Sequence, residues 1–570
     1  MSLRRGWAAI GILLAAQLVV ASGQAASRGG PSSIDVRDLR EWLTYIASDE
    51  LLGRDTFSAG LGLAASYIEN HLREWGVKPA GDSGSYLQTV RVVGVKSTSH
   101  STVTVDIGGE RRTFTEGAIG FPKNAGANQR LTVNRVEFVG YGLDAPQANH
   151  EDYRGHDVRG AAVVWLGSTG PAGIDPSLTR LLFGRSRYAT DERFAAAAIG
   201  AAPEPRAGRG GRAAGVPTQQ PGDGRGPIPV ADFTTTQRLD HIVPPRLTGG
   251  DAFFEFLFSR APVKYADLKK KADAGEPLPS FRLDGVTLTF DVNTGYEVVR
   301  TRLTQNVVAI VEGSDPQLKQ SYVAFGAHYD HVGYAEGELV SGADGVRRSG
   351  APGFVTPGAE NDRIWNGADD DGSGTVTLMA LARAYALGPR PKRSMLFVWH
   401  TGEERGLWGS RYFVDHPTVD LDHIVAQLNV DMIGRNRDDK TSEANTVYLV
   451  GSDRISTELD QIAQAANQSL PAPLHLDYEF NDPFEPEQSY TRSDHYSYAS
   501  RGIPIIFFHN GLQPDYHANT DEVPKIQFDK MARIAALIYE TGVRLGNLDH
   551  APVRDRQGAR MGKALAAASR

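Results

Sequence analysis

The residues of this 570-residue chain that could do chemistry fall into five short clusters. His328-Tyr329-Asp330-His331 follows the apolar run 322–327, and His400-Thr401-Gly402-Glu403-Glu404 follows 395–399. Asp431 follows 424–430, and Tyr516-His517 follows 503–508 after a short loop. The fifth cluster, Asn366 to Gly374 with Asp369, Asp370 and Asp371 in a row, stands just before a helical stretch at 375–387. Each alone is a weak signal. A histidine at a strand end is commonly a hydrogen-bonded structural residue, a pair such as Glu403-Glu404 a solvated turn, and three aspartates the favoured start of a helix. Together they say more, because neighbouring carboxylates repel one another unless cations sit between them. Two histidines and three carboxylates suit zinc, with one carboxylate bridging two ions.

Other chemistries fall away. There is no cysteine, hence no disulfide, thiolate nucleophile, cysteine-ligated zinc or iron–sulfur cluster. No His-Glu-x-x-His helix and no P-loop occur. His400-Thr401-Gly402-Glu403 has the His-x-x-Glu spacing of funnel-type zinc carboxypeptidases, a pattern common by chance. Asp369 to Gly372 does not fit the register of a calcium loop, and Gly372-Ser373-Gly374 is not a nucleophile elbow, since Asp371 precedes it.

The elements that must position these residues alternate. Apolar runs at 307–311, 322–327, 395–399, 424–430, 447–450 and 503–508 are separated or followed by helical stretches at 375–387, 453–468 and 527–545. That pattern predicts an α/β fold with a mixed, largely parallel sheet flanked by helices. In such sheets ligands bind outside the carboxyl ends of the strands, where the clusters stand. Upstream, 34–76 reads as helix, with Leu39, Trp42, Leu43 and Ile46 on one face, Ala65, Ile68, Leu72 and Trp75 on another, and Gly76 as the stop. Short strands are expected over 86–140 and a buried one at 161–166. Residues 203–229, rich in Gly, Pro and Arg, read as a flexible loop.

The length points to at least two domains. A formal net charge of −8 argues against nucleic acid as a partner. Arg4 and Arg5, an apolar run over 7–20 and the small residues 21–26 form the three-part pattern of a signal peptide. The run is short of the ~20 apolar residues of a membrane span. Export to the periplasm or the medium is expected, with no stable membrane span.

The clusters, taken in order, resemble the co-catalytic di-zinc aminopeptidases of the exported bacterial leucyl-aminopeptidase type. The resemblance runs through 326–333, 366–374, 401–410, 428–434, Ser493-Asp494-His495, Gly502-Ile503-Pro504, Tyr516-His517 and Thr520-Asp521, and more weakly through Leu51-Leu52-Gly53-Arg54. It implies an exopeptidase acting on peptides with a free N-terminus and carrying two zinc ions. His328 and Asp431 would hold one ion, Glu404 and His517 the other, and Asp370 would bridge them. Glu403 would be the general base, Tyr516 would donate to the oxyanion, and the Asp330 carboxylate would orient His328. A cis peptide between Asp370 and Asp371 is also implied. The domains then read as a signal peptide at 1–25, an N-terminal part of the peptidase domain at 34–110, a β-rich protease-associated-like insert at 111–300, the catalytic domain at 301–546 and a loose tail at 547–570. The long stretch 333–365 is expected to form a loop over the cleft. The alternatives are a carboxypeptidase or other amidohydrolase on this fold, reading a substrate carboxylate through Arg405, Arg435 or Arg492; a glutaminyl-cyclase-like transferase with one zinc; and a receptor-like relative without metals.

Overall fold

The apolar runs pair at the centre of one large sheet. In the computed structural model, which describes residues 29–201, 232–235, 237–336, 339 and 351–556, eight strands make up most of this sheet. They are β1 (Leu87–Ser99), β2 (Thr294–Val311), β3 (Tyr322–His328), β4 (Ser394–His400), β5 (Ile424–Val430), β6 (Thr446–Val450), β7 (His475–Asp477) and β8 (Ile505–His509). The expected signal peptide and the loop 203–229 lie outside the described residues, as do 557–570 of the tail. The sheet runs Asp232–Thr235, β1, β2, β4, β3, β5, β8, β6, β7. Its middle four strands, β4, β3, β5 and β8, are parallel, so their carboxyl ends share one edge. β1 with β2, β2 with β4, and β6 with β8 are antiparallel. The mixed, largely parallel sheet expected from the sequence is therefore the sheet observed.

Successive side chains of a strand point to opposite faces, and here they sort into two cores. Val307, Ala309, Val311, Val323, Phe325 and Ala327 face one core. It is covered by helices α1 (Val36–Ile46), α2 (Ala59–Glu74), α3 (Gly374–Leu387), α5 (Thr457–Gln468) and α7 (Phe528–Asn547). Val308, Ala324, Leu396 and Val398 face the other, under α4 (Trp408–Asp415) and α6 (His495–Ala499). Both faces being buried explains why these strands read as unbroken apolar runs. No helix among the described residues is long and apolar enough to cross a membrane.

The helix expected over 34–76 is broken. Between α1 and α2, Leu52, Gly53 and Arg54 take left-handed backbone angles (φ 47°, 64° and 47°). A Cβ on Gly53 would lie 2.3 Å from the Gly333 carbonyl oxygen, so the chain passes there only as glycine. The turn sends the Arg54 side chain inward to complete burial.

Between Ser99, at the end of β1, and Thr294, the residue paired with it in β2, the chain makes a long excursion that touches the central sheet again at Asp232–Thr235, beside β1. In between lie a four-stranded sheet (Glu110–Phe114, Thr102–Ile107, Val286–Val292, Gln129–Val133) and a six-stranded one that includes Val136–Val139, Ala162–Val164 and Ala197–Ala201. They pack on a core of their own around Phe138, Phe253, Phe254, Phe258 and Leu288.

Candidate metal centre

The carboxyl ends of β3, β4 and β5 deliver the expected side chains to one buried pocket. His328 is the last residue of β3 and pairs in register with His400 of β4. Its Nε2 lies 3.3 Å from Asp370 Oδ1 and 3.7 Å from Asp431 Oδ2. His517 Nε2 lies 3.1 Å from Asp370 Oδ2 and 3.0 Å from Glu404 Oε2. The Asp370 carboxylate thus stands between the two imidazoles, one oxygen toward each. The Asp370–Asp371 peptide is cis.

Neither neighbouring aspartate is placed as Asp370 is. Asp371 accepts the N–H of Gly374 (2.9 Å) and of Met432 (3.2 Å) through Oδ1 and of His328 (3.1 Å) through Oδ2, so both its oxygens serve the backbone, at the start of α3, just after β5 and at the end of β3. Asp369 accepts the N–H of Gly434 through Oδ1 (2.7 Å). Asp521 in turn accepts the N–H of Asp369 and of Asp370 (3.0 and 3.1 Å), holding the ends of that turn in place. Ser493 donates to Asp431 Oδ2 (2.6 Å).

The structure departs from the expectation for Asp330 in one atom. His328 Nδ1 is 3.0 Å from the backbone carbonyl of Asp330 and 3.8 Å from its carboxylate. The carboxylate is taken up elsewhere, accepting the Thr56 hydroxyl (3.0 Å) and the Glu403 N–H (3.2 Å). Either way Nε2 of His328 is left to face the pocket. His400, although it ends β4, turns away: its Nε2 is 3.0 Å from the Tyr498 hydroxyl and its Nδ1 3.4 Å from Asp494. The His-x-x-Glu spacing there does not bring His400 and Glu403 together as a ligand pair.

Tyr516 stacks on His517 with ring centroids 4.0 Å apart, and its hydroxyl accepts from Arg492 (3.1 Å). The three arginines that could read a substrate carboxylate are each paired within the chain: Arg405 with Asp55 (2.6 Å), Arg435 with Asp439 and Asp515, and Arg492 with Glu487 (2.8 Å). The stretch after 351 is pinned beside the pocket by Phe354, whose N–H donates to the His517 carbonyl (2.7 Å).

Two residues at the pocket had no role in the sequence reading. Arg54, fully buried, donates to the carbonyls of Ile46 (2.6 Å), Asn366 (2.7 Å), Tyr329 (3.0 Å) and Gly367 (3.0 Å). It ties the α1–α2 turn to the loops carrying His328 and Asp370. The neighbouring carboxylates Asp330, Asp370, Asp371 and Asp521 oppose the lowering of its pKa by burial, which reaches about 10. His331, also fully buried, has Nδ1 2.9 Å from Glu404 Oε1. Its place in the run His328 to His331 was visible, but nothing in the spacing separates a ligand from a packed histidine.

Burial and the crowding of carboxylates and imidazoles shift one another's protonation strongly. Burial raises the Asp330 and Asp369 carboxyls to about 7. Burial would also raise Asp370, but His328 and His517 hold it well below the usual range. Burial lowers His517, and Glu404 and Asp370 more than reverse this, to about 10. Burial drives Glu403 well above the ordinary carboxylate range; His328 opposes it, and Glu404, Asp431 and Asp494 add to it. Asp370 Oδ2, Glu404 Oε1 and both ring nitrogens of His331 are buried without a hydrogen-bond partner. Such atoms are rare in native structures and call for a bound ion or water. Two groups among the described residues bring metal-competent atoms together, His328 with Asp371 and Asp431, and His331 with Asp370 and Glu404. The donor set of imidazole and carboxylate fits zinc.

An open α/β sheet with this cluster at the ends of its parallel strands defines a metal-centred α/β domain. Residues 306–542 match the model of Peptidase family M28. Among curated relatives, leucine aminopeptidase 1 of Fusarium vanettenii is 30% identical over 192 residues, covering 31% of this chain and 46% of the relative. Leucine aminopeptidase 2 of Arthroderma otae is 25% identical over 317 residues, covering 50% and 53%. The chain spans about half the length of the curated relatives it matches. Among solved structures, an aminopeptidase from Aneurinibacillus sp. strain AM-1 aligns over 93% of this chain and 98% of its own, at 18% identity and a TM-score of 0.42.

Proposed function

We propose that the protein is an exported zinc-dependent aminopeptidase that removes the N-terminal residue from peptides. The observation that carries this is the Asp370 carboxylate, with one oxygen 3.3 Å from His328 Nε2 and the other 3.1 Å from His517 Nε2. His328, Asp370 and Asp431 would hold one zinc ion, and Asp370, Glu404 and His517 the second. Bound there, two zinc ions would supply a water of lowered pKa and a Lewis acid for the scissile carbonyl.

The chain's own residues do the rest. The Glu403 carboxylate takes a proton from the attacking water and returns it to the leaving amine. A pKa raised by burial suits a group that must both accept and donate near neutral pH. With its oxygen bonded by Arg492, the Tyr516 hydroxyl has its own hydrogen to give to the developing oxyanion. Asp330 holds the Glu403 backbone and, through its carbonyl, the His328 ring. The carboxylate-rich pocket favours a substrate's cationic α-amine. Because Arg405, Arg435 and Arg492 are already paired with carboxylates, the same pocket does not favour a C-terminal carboxylate. The protease-associated-like insert at 111–300 belongs to this reading too, as a separate body beside the catalytic domain.

The test is metal analysis of the purified protein beside a panel of aminoacyl-anilides. Hydrolysis of free but not N-acetylated anilides, lost on chelation and restored by zinc, is expected. Equal cleavage of the N-acetylated forms would overturn the aminopeptidase reading.

A further inference from the structure

We infer that His331 is a sixth protein ligand of this centre, joining Glu404, His517 and Asp370 around one ion. The inference rests on the two-zinc reading above. His331 is 0% exposed, and neither ring nitrogen makes a hydrogen bond. Its Nδ1 is 2.9 Å from Glu404 Oε1 and 3.9 Å from Asp370 Oδ2. Those two oxygens are themselves buried and unpartnered. Three buried polar atoms on three different segments, none with a hydrogen-bond partner, thus converge within reach of one ion, the arrangement a bound cation resolves and a packed core avoids.

The ring is held in that orientation. Its Cγ–Cδ2 edge lies on Gly367, where a Cβ would come within 2.5 Å of both atoms. Gly367 has φ 57°, a conformation open to glycine. The His331 N–H donates to the Arg54 carbonyl (3.1 Å), so the same turn that buries Arg54 fixes the backbone under the ring. The His517 ring stands edge-on at 5.8 Å between centroids.

The consequence is an unequal pair of ions. One has Asp370, Glu404, His517 and His331, the four protein ligands of a closed zinc site. The other has His328, Asp370 and Asp431, the three that leave a position open for chemistry.

The experiment compares the full chain with its His331→Ala and His331→Asn variants. Zinc content and affinity are measured by competition with a chelator, and X-ray absorption counts imidazoles on the wild-type zinc. Expected are about two zinc ions per wild-type chain and about 1.5 imidazoles per zinc, against about 1 without His331. Both variants should keep the first ion and bind the second at least about 100-fold more weakly, the upper range for disturbing a supporting residue. Free imidazole should restore the second ion to His331→Ala. Wild-type protein with two zinc ions and about 1 imidazole each, or variants that bind two ions at wild-type affinity, would overturn the role of His331 and leave the two-zinc reading standing. A wild-type chain that saturates at one zinc would overturn both. The X-ray absorption count decides the matter even if the variants do not fold.

Discussion

Replacing Arg54 with methionine removes a buried cation whose donors are spent on main-chain carbonyls. Of its four acceptors, Gly367 also receives the Gly372 N–H (3.1 Å), leaving Ile46, Asn366 and Tyr329 to lose the bond they have with Arg54. At about 1–3 kcal/mol for each buried acceptor left open, the sum is about 3–9 kcal/mol. Relaxation of the loops and relief of the guanidinium's own desolvation pull the net toward the lower part, about 3–5 kcal/mol. Two of those carbonyls flank the proposed metal ligands, Tyr329 next to His328 and Asn366 shortly before Asp370. Zinc affinity should therefore fall by about 10–100-fold as well. Arg54→Lys keeps the charge but offers three donors to four carbonyls, and should lose less on both counts. Urea unfolding of metal-free protein by tryptophan fluorescence, with zinc competition titrations, reads both quantities. An Arg54→Met variant with the wild-type unfolding midpoint and zinc affinity would show that Arg54 supports neither the fold nor the site. Lost stability with unchanged zinc affinity would confine Arg54 to the fold.

Glu403→Gln should retain its zinc while turnover falls by about 10²–10⁴-fold, the scale of lost general acid–base catalysis, whereas Glu404→Ala should lose metal; near-normal turnover in Glu403→Gln, measured with an aminoacyl-anilide, would remove it as the base. Saturating metal analysis should give about two zinc ions per chain, and full activity at one would refute the bridging role of Asp370. Zinc loading should strengthen with pH. In the metal-free cluster the His517 imidazole is pushed up to about 10, so below that value it carries a proton that zinc must displace. Apparent affinity should rise about tenfold per pH unit for each proton displaced, over roughly pH 6 to 9; an affinity independent of pH in chelator-buffered titrations would contradict this.

Much of the site's location was legible because parallel strands buried on both faces leave continuous apolar runs, and the residue after each run lies at the shared carboxyl edge. His328, Glu403, Glu404 and Asp431 were visible on that ground. Choosing among Asp369, Asp370 and Asp371 needed the resemblance, since spacing cannot say which carboxylates answer backbone N–H groups. The structure assigns that work to Asp369 and Asp371. The atom of Asp330 that meets His328 was not legible, because it depends on Thr56, far away in sequence. Nor was the turn at Leu52–Arg54, since left-handed angles in non-glycine residues leave no periodic trace. The expected boundary at 110/111 falls inside the strand Glu110–Phe114, because alternation marks a strand without saying which sheet it joins.

The pairing of Ser99 with Thr294 makes β1 and β2 a hairpin whose connection carries two further sheets. An open loop of that length would oppose closing the hairpin, at an entropy that grows with the logarithm of the loop. Ends held a strand spacing apart, ~4.8 Å, by sheets that pack on their own buried cluster meet less of that resistance. The central sheet, whose strand β4 pairs directly with β2, thereby joins the two ends of a connection that also lends it the strand Asp232–Thr235.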